Sequence, residues 1–205
     1  MTIFYLVQHG AKIQAAGDPP LSALGFAQAR RTAAHLRGQH VTRLFSSPLR
    51  RAAETAQVLA DTLGLPIAPD ERLRERMNWG TSPEPQSLEA FLADWARASS
   101  ERDFRPASGD SSRVAGARLL AFLDELASQY AGERVALVTH GGVTLDVIRN
   151  LFPEAQLARL NQTVLATGPA GCAITRLIHQ DDGYALDALA SVAHLPAALQ
   201  TSHWP

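Results

Sequence analysis

The sequence predicts an α/β sandwich with a mostly parallel sheet, and three observations carry that expectation. Apolar runs of strand length alternate with amphipathic stretches of helix length near the amino terminus, and the alternation resumes from about residue 112. Two of the apolar runs, "FYLVQHG" and "VALVTHGG", end on the same dipeptide, His-Gly. The chain has 205 residues, 46% of them hydrophobic, which suits one domain, 1–205, with a sizeable core.

Taken in order, residues 2–7, "TIFYLV", are rich in β-branched and aromatic side chains and read as a strand buried on both faces. "DPPLSALGFAQARRTAAHLRG" opens with turn residues, offers Ser22 as a helix N-cap, spaces Leu24, Ala27, Ala34 and Leu36 among polar residues, and stops at Gly38. "VTRLFSS" reads as a strand. "PLRRAAETAQVLADTLG" reads as a helix with Pro48 at its first position and Gly64 just past its end. Towards the carboxyl terminus, "SRVAGARLLAFLDELASQYAG" is helical, "RVALVTH" a strand and "VTLDVIRNLF" a helix, and residues 171–190 hold two strands around an Asp-Asp-Gly turn. Between the halves, residues 78–112 carry prolines and a short amphipathic piece with Phe91, Leu92 and Trp95. This segment is expected to be an insertion over the edge of the sheet that bears the site. The Phe91 and Trp95 pair reads as core rather than as a substrate cage.

Nineteen Lys+Arg against twenty Asp+Glu give a net charge of −1, so no global field draws the chain to nucleic acid or to an anionic membrane. Any anion site must be local. Cys172 is the only cysteine, which excludes an intrachain disulfide and a cysteine-based zinc cluster and suits a reducing compartment. "MTIFYLVQHG" lacks the basic start of a signal peptide, and no apolar run approaches the roughly 18 residues of a membrane span. The expected location is the cytoplasm.

The chemistry lies at the strand ends. In an open α/β sheet ligands bind outside the carboxyl ends of the strands, so His9 and His140, each followed by glycine, can face one crevice. Gly10 and Gly141 permit close approach of backbone and ligand. A third strand end places Arg50 and Arg51 in the first turn of a helix, where the macrodipole disfavours cations unless an anion is bound. Successive helical residues lie about 100° apart, so one of the pair faces such an anion. In "ERLRERMNWG", Glu71 or Glu75 can serve as the acid that protonates a leaving alkoxide. No Cys/His cluster or "HExxH" motif is visible, and His35, His40, His179 and His203 show no ligand spacing.

Five segments, in order, resemble the histidine phosphatase superfamily, also called the phosphoglycerate mutase-like family, over nearly the whole chain. They are "QHG" at 8–10, where the family has Arg-His-Gly, "DPPLSALGFAQA" from Asp18 to Ala29, "SPLRRAAETA", "LRE" and "THGG". The resemblance implies a three-layer α/β/α phosphoglycerate mutase-like fold. It selects Arg51 over Arg50 and Glu75 over Glu71. His9 would be the nucleophile that takes the phosphoryl group. Arg51 and His140 would clamp its oxygens, and Glu75 would be the proton donor and then the base for water. Such a reaction needs no metal and no other cofactor. His194 falls in a family tail segment without a catalytic role that can be derived.

Gln8 departs from the family pattern. An arginine would offer a charged, forked donor, whereas the amide offers neutral N–H groups and one acceptor. Lys12, four residues on, can supply the missing charge. The expected function is therefore hydrolysis of a small organic phosphate ester, with low activity where Gln8 weakens the site. Three alternatives stay open: a phosphoglycerate mutase-type phosphotransferase, a protein-phosphohistidine phosphatase, and a member that binds phosphate without turnover. "AKIQAAGDPP" lacks the residues that mutase-type members carry after Gly10, which favours hydrolysis. The expected partner is the small phosphorylated substrate, and the oligomeric state stays open, a homodimer included.

Overall fold

The computed structural model describes residues 1–82 and 84–200, so His203 lies outside the described residues. Among the described residues, six strands form one sheet: β1 (Thr2–Gln8), β2 (Arg43–Ser46), β3 (Ile67–Pro69), β4 (Arg134–Thr139), β5 (Ile174–Gln180) and β6 (Gly183–Ser191), in the order β3-β2-β4-β1-β5-β6. The pairings β1–β4, β2–β4 and β2–β3 are parallel, and β1–β5 and β5–β6 are antiparallel. The sheet is thus mixed, with a parallel body and an antiparallel hairpin on one side.

Among the described residues, six α-helices pack with the sheet: α1 (Ala23–Arg37), α2 (Arg50–Leu63), α3 (Leu88–Ser100), α4 (Ser112–Gln129), α5 (Gly141–Leu151) and α6 (Glu154–Thr167). The alternation of side chains along β1 explains the layers. Tyr5 and Val7 join Leu36, Ala52 and Leu59 of α1 and α2 in one core, while Phe4 and Leu6 join Leu119, Phe122 and Ile148 of α4 and α5 in the other. Helices therefore cover both faces of an apolar sheet.

Local chemistry explains most of the boundaries. The Ser22 hydroxyl accepts from the Gly25 N–H and caps α1, and Gly64 ends α2 in the left-handed conformation at φ +69°. Pro48 does not open α2. Leu49 is its N-cap, and Asp18 from the loop between β1 and α1 accepts the Arg50 N–H with both carboxylate oxygens at 2.9 Å. That capping by a distant residue moves the start of the helix two residues on. Likewise α5 begins at Gly141, two residues before the apolar pattern, because its first N–H groups find a carboxylate elsewhere in the chain. The short β3 and helix α6 have no counterpart among the expected elements. β3 spans three residues, and α6 buries only Leu157 and Val164, too little for a strong pattern.

All four parallel strands deliver their following loops to one edge. Gln8 pairs with Thr139 and Ser46 with Val138, so His9, Ser47 and His140 emerge side by side. The loop after His9 lies directly on the start of α1, where a Cβ on Gly10 would stand 2.6 Å from the Gly25 carbonyl oxygen and one on Gly25 would collide with the Ala11 carbonyl. Gly25→Ala is expected to cost about 1–3 kcal/mol, the usual range for overpacking, measured by urea unfolding. A change within experimental error would show that the loop moves freely away from the helix.

Candidate active site

His9 is held by two bonds that fix its tautomer. Its Nδ1 lies 2.8 Å from the Gly10 carbonyl oxygen, which can only accept, so Nδ1 carries the proton. Its Nε2 receives the Arg51 Nε–H at 3.2 Å, and the Gln8 amide nitrogen stands 3.5 Å from the same atom. Nε2 is therefore unprotonated and accepts from Arg51. The ring is 3% exposed, so that nitrogen meets a ligand largely stripped of water.

Arg51 and Arg50 part as helical geometry requires. Arg51 is 3% exposed, whereas Arg50 is exposed and pairs with Glu54 at 2.8 Å. Asp18 stands 3.6 Å from the outer Arg51 nitrogen and also caps α2. Burial lowers the Arg51 pKa, opposed by Glu75 and Asp18.

His140 lies under His9, with ring centroids 5.2 Å apart in an edge-on arrangement, and it is fully buried. Ser47 Oγ accepts the Leu49 N–H and lies 2.8 Å from His140 Nε2. His140 Nε2 and the Ser47 hydroxyl thus share a hydrogen bond, and His140 Nδ1 has no partner among the described residues. Burial, reinforced by Arg51 and His9, holds His140 well below the ordinary histidine value, so the ring is neutral at rest.

Glu75 occupies the amino terminus of α5. Its carboxylate accepts from Gly142 N at 3.0 Å, Val143 N at 2.8 Å and its neighbour Arg76 N at 2.8 Å. A side chain at 142 would displace it, since a Cβ there would stand 2.5 Å from Glu75 Oε1 and 2.8 Å from the Trp95 ring. Arg118 of α4 fixes the loop by donating to the Arg72 and Arg74 carbonyls at 2.6 and 3.1 Å. Arg76 turns away into a buried pair with Asp146 at 2.9 Å and lies against the Trp95 ring at 4.1 Å. Burial pushes Asp146 up to about 6, with Arg76 opposing.

These groups open on a cavity of about 980 Å³. Gln8, His9, Lys12, Arg51, Glu75 and Gly141 all reach its wall. His140 and Gly10 do not: the first is sealed beneath His9 and the second is turned to α1 and the Thr55 hydroxyl. Phe91 and Trp95 do both jobs at once. They pack with Met77 and Ala98, and they line the cavity, which corrects their reading as core alone. Glu71 pairs with Arg74 in solvent at 3.1 Å. Asp18 and Ser47 are the contributors that the sequence did not single out, although both stand inside the matched "DPPL" and "SPL" segments.

Among the described residues no group of three or more His, Cys, Asp or Glu side chains is placed to hold a metal ion, and no helix is long and apolar enough to cross a membrane. His35 stacks on His194, which also meets the Thr32 hydroxyl at 2.9 Å, and His179 meets Tyr184.

Residues 5–191 match the family model described as histidine phosphatase superfamily, branch 1. The chain belongs to that superfamily. It is 30% identical over 211 residues to "Probable phosphoglycerate mutase GpmB" of Yersinia enterocolitica, covering 93% of this chain and 94% of that one. Among solved structures, a mycobacterial glucosyl-3-phosphoglycerate phosphatase with inorganic phosphate superposes with TM-score 0.74 at 27% identity, covering 95% and 99% of the two chains. A variant of the Entamoeba histolytica phosphoserine phosphatase with phosphoserine superposes with TM-score 0.70 at 25% identity, covering 96% and 100%. The fold of this superfamily member is phosphoglycerate mutase-like.

Lys12 supplies a pH test of the site's charge. Burial and Arg51 bring its pKa down to about 8, against the opposing pull of Glu75. The ammonium is kept below that pH and lost above it. Affinity for sulfate, whose charge is constant over this range, should fall as pH rises through about 8, and Lys12→Met should remove that limb in calorimetric titrations. A flat profile in the parent would place Lys12 outside the anion site.

Proposed function

We propose that the protein is a metal-independent phosphatase that hydrolyses a small-molecule phosphate ester through a phosphohistidine on His9. The observation that carries this reading is the His9 ring itself at the cavity wall, with Nδ1–H tied to Gly10 and an unprotonated Nε2 accepting from Arg51. Nε2 attacks phosphorus, the N–P bond forms as the bond to the alcohol oxygen breaks, and Glu75, which takes up a proton as the ester's negative charge enters beside it, gives that proton to the leaving oxygen. Water then attacks phosphohistidine, with Glu75 taking its proton, and inorganic phosphate leaves.

Charge on the transferring group is met by Arg51 and by Lys12 at the cavity wall. Gln8 contributes neutral N–H groups where a charged fork would be stronger. The name of the Yersinia relative favours a second reading, transfer of the phosphoryl group to another substrate hydroxyl instead of water.

Incubation with a reactive aryl phosphate should label His9 with an acid-labile, alkali-stable phosphoryl group, and His9→Ala should abolish both label and turnover. Label on Ser47 or His140, or turnover that survives in His9→Ala, would overturn the reading, and retention of phosphate on a second alcohol would favour transferase over hydrolase. Glu75→Gln should slow alkyl phosphates by about 10²–10⁴-fold, the usual contribution of acid catalysis, and aryl phosphates far less. Gln8→Arg should raise kcat/KM on an aryl phosphate by about tenfold, or about 1.4 kcal/mol of transition-state stabilisation. A fall in a folded variant would mean that Gln8 binds a neutral part of the substrate.

A further inference from the structure

We infer that the site selects phosphate esters of bulky, apolar or aromatic alcohols over small hydrophilic esters that carry a carboxylate. The inference rests on the phosphatase reading for the place of the phosphate, beside His9 and Arg51. Beyond that end, the cavity runs between α3, α5 and α6. Phe91 and Trp95 line it from one face of α3, Leu145 from α5, Leu165 from α6, and Met77 and Trp79 from the loop after Glu75. Trp95 reaches across to Gly142, so this apolar wall begins where the leaving oxygen would stand.

Size and charge point the same way. At about 980 Å³ the cavity is at the upper end of the range for pockets that bury drug-sized ligands, far more room than a three-carbon acid fills. A carboxylate on the alcohol would need a cation away from the phosphate cluster. The wall has two there, Arg76 and Arg149; the terminal nitrogens of both are engaged, and each keeps one donor without a partner among the described residues, a buried Nε–H. The terminal nitrogens of Arg76 hold Asp146 and the Ser99 hydroxyl, and those of Arg149 hold the Ser99 carbonyl and Glu154. A second anionic group would therefore find no terminal guanidinium fork free, only the two buried Nε–H groups, and would face mostly aromatic and aliphatic carbon, while an aromatic body would bury apolar area against that wall.

The test separates binding from turnover. Titration calorimetry on the His9→Ala protein should show 1-naphthyl phosphate binding at least tenfold more tightly than phosphoserine or 3-phosphoglycerate. Adding Trp95→Ala should weaken the naphthyl ester about tenfold and leave phosphoserine within about twofold. Equal affinities, or a preference for the carboxylated esters, would overturn the inference. Should Trp95→Ala fail to fold, the ranking of esters on the His9→Ala protein decides alone. Turnover of the same esters by the unaltered chain reads the other question. Preference in binding without hydrolysis would sink the phosphatase reading and leave this inference standing, and hydrolysis without preference would do the reverse.

Discussion

The hydrogen bond from His9 Nδ1 to the carbonyl of its own neighbour Gly10, at 2.8 Å, is the constraint on which the rest of the site depends. A carbonyl can only accept, so the bond dictates which nitrogen bears the proton and thereby which one is left unprotonated. Arg51 then reads that choice, since its Nε–H can approach only an unprotonated Nε2. The geometry of residue 10 is in turn set by α1, whose Gly25 carbonyl leaves no room for a side chain there. A packing requirement at the start of a helix is thus transmitted to the protonation state of an imidazole.

Around that ring the protein assembles positive charge and tolerates it by different means. Asp18 and Glu75 stand against Arg51. Lys12 has its pKa brought down by burial, and His140 is held neutral altogether. Each of these groups gains from an anion at the cavity wall, because an anion favours the charged form that burial penalises. Glu75 is the counterpart, a carboxylate seated on the first N–H groups of α5, where the helix dipole supports it. Parallel strands bring these pieces together because every loop that follows them opens on the same edge.

Much of this was legible in the sequence where a residue's position in the chain determines its place in space. His9 and His140 follow apolar strands, and one-dimensional periodicity puts both at the carboxyl edge. The choice between Arg50 and Arg51 needed the motif as well as the helix, because periodicity says that the two diverge but not which one turns inward. Other features depend on contacts between distant segments. Asp18 capping α2 sets the start of that helix, and Glu75 capping α5 does the same for its own. Neither leaves a local pattern at the helix it caps. The amphipathic stretch around Phe91 and Trp95 was visible, yet packing against core and lining a cavity demand the same apolar side chains, so composition could not separate the two. His140 illustrates the converse. Its place in the chain was clear, but its full burial, out of the cavity wall and bonded to Ser47 from the neighbouring strand end, rests on contacts between distant segments.

The most direct measurement is ¹⁵N NMR of the protein with isotope-labelled histidine, read first at rest near pH 7 and then after phosphorylation by an aryl phosphate. The account predicts a neutral His9 with a protonated Nδ1 and an unprotonated Nε2 at rest, and phosphorus coupled to Nε2 afterwards. A resting ring protonated on Nε2, or phosphorus on Nδ1, would contradict it.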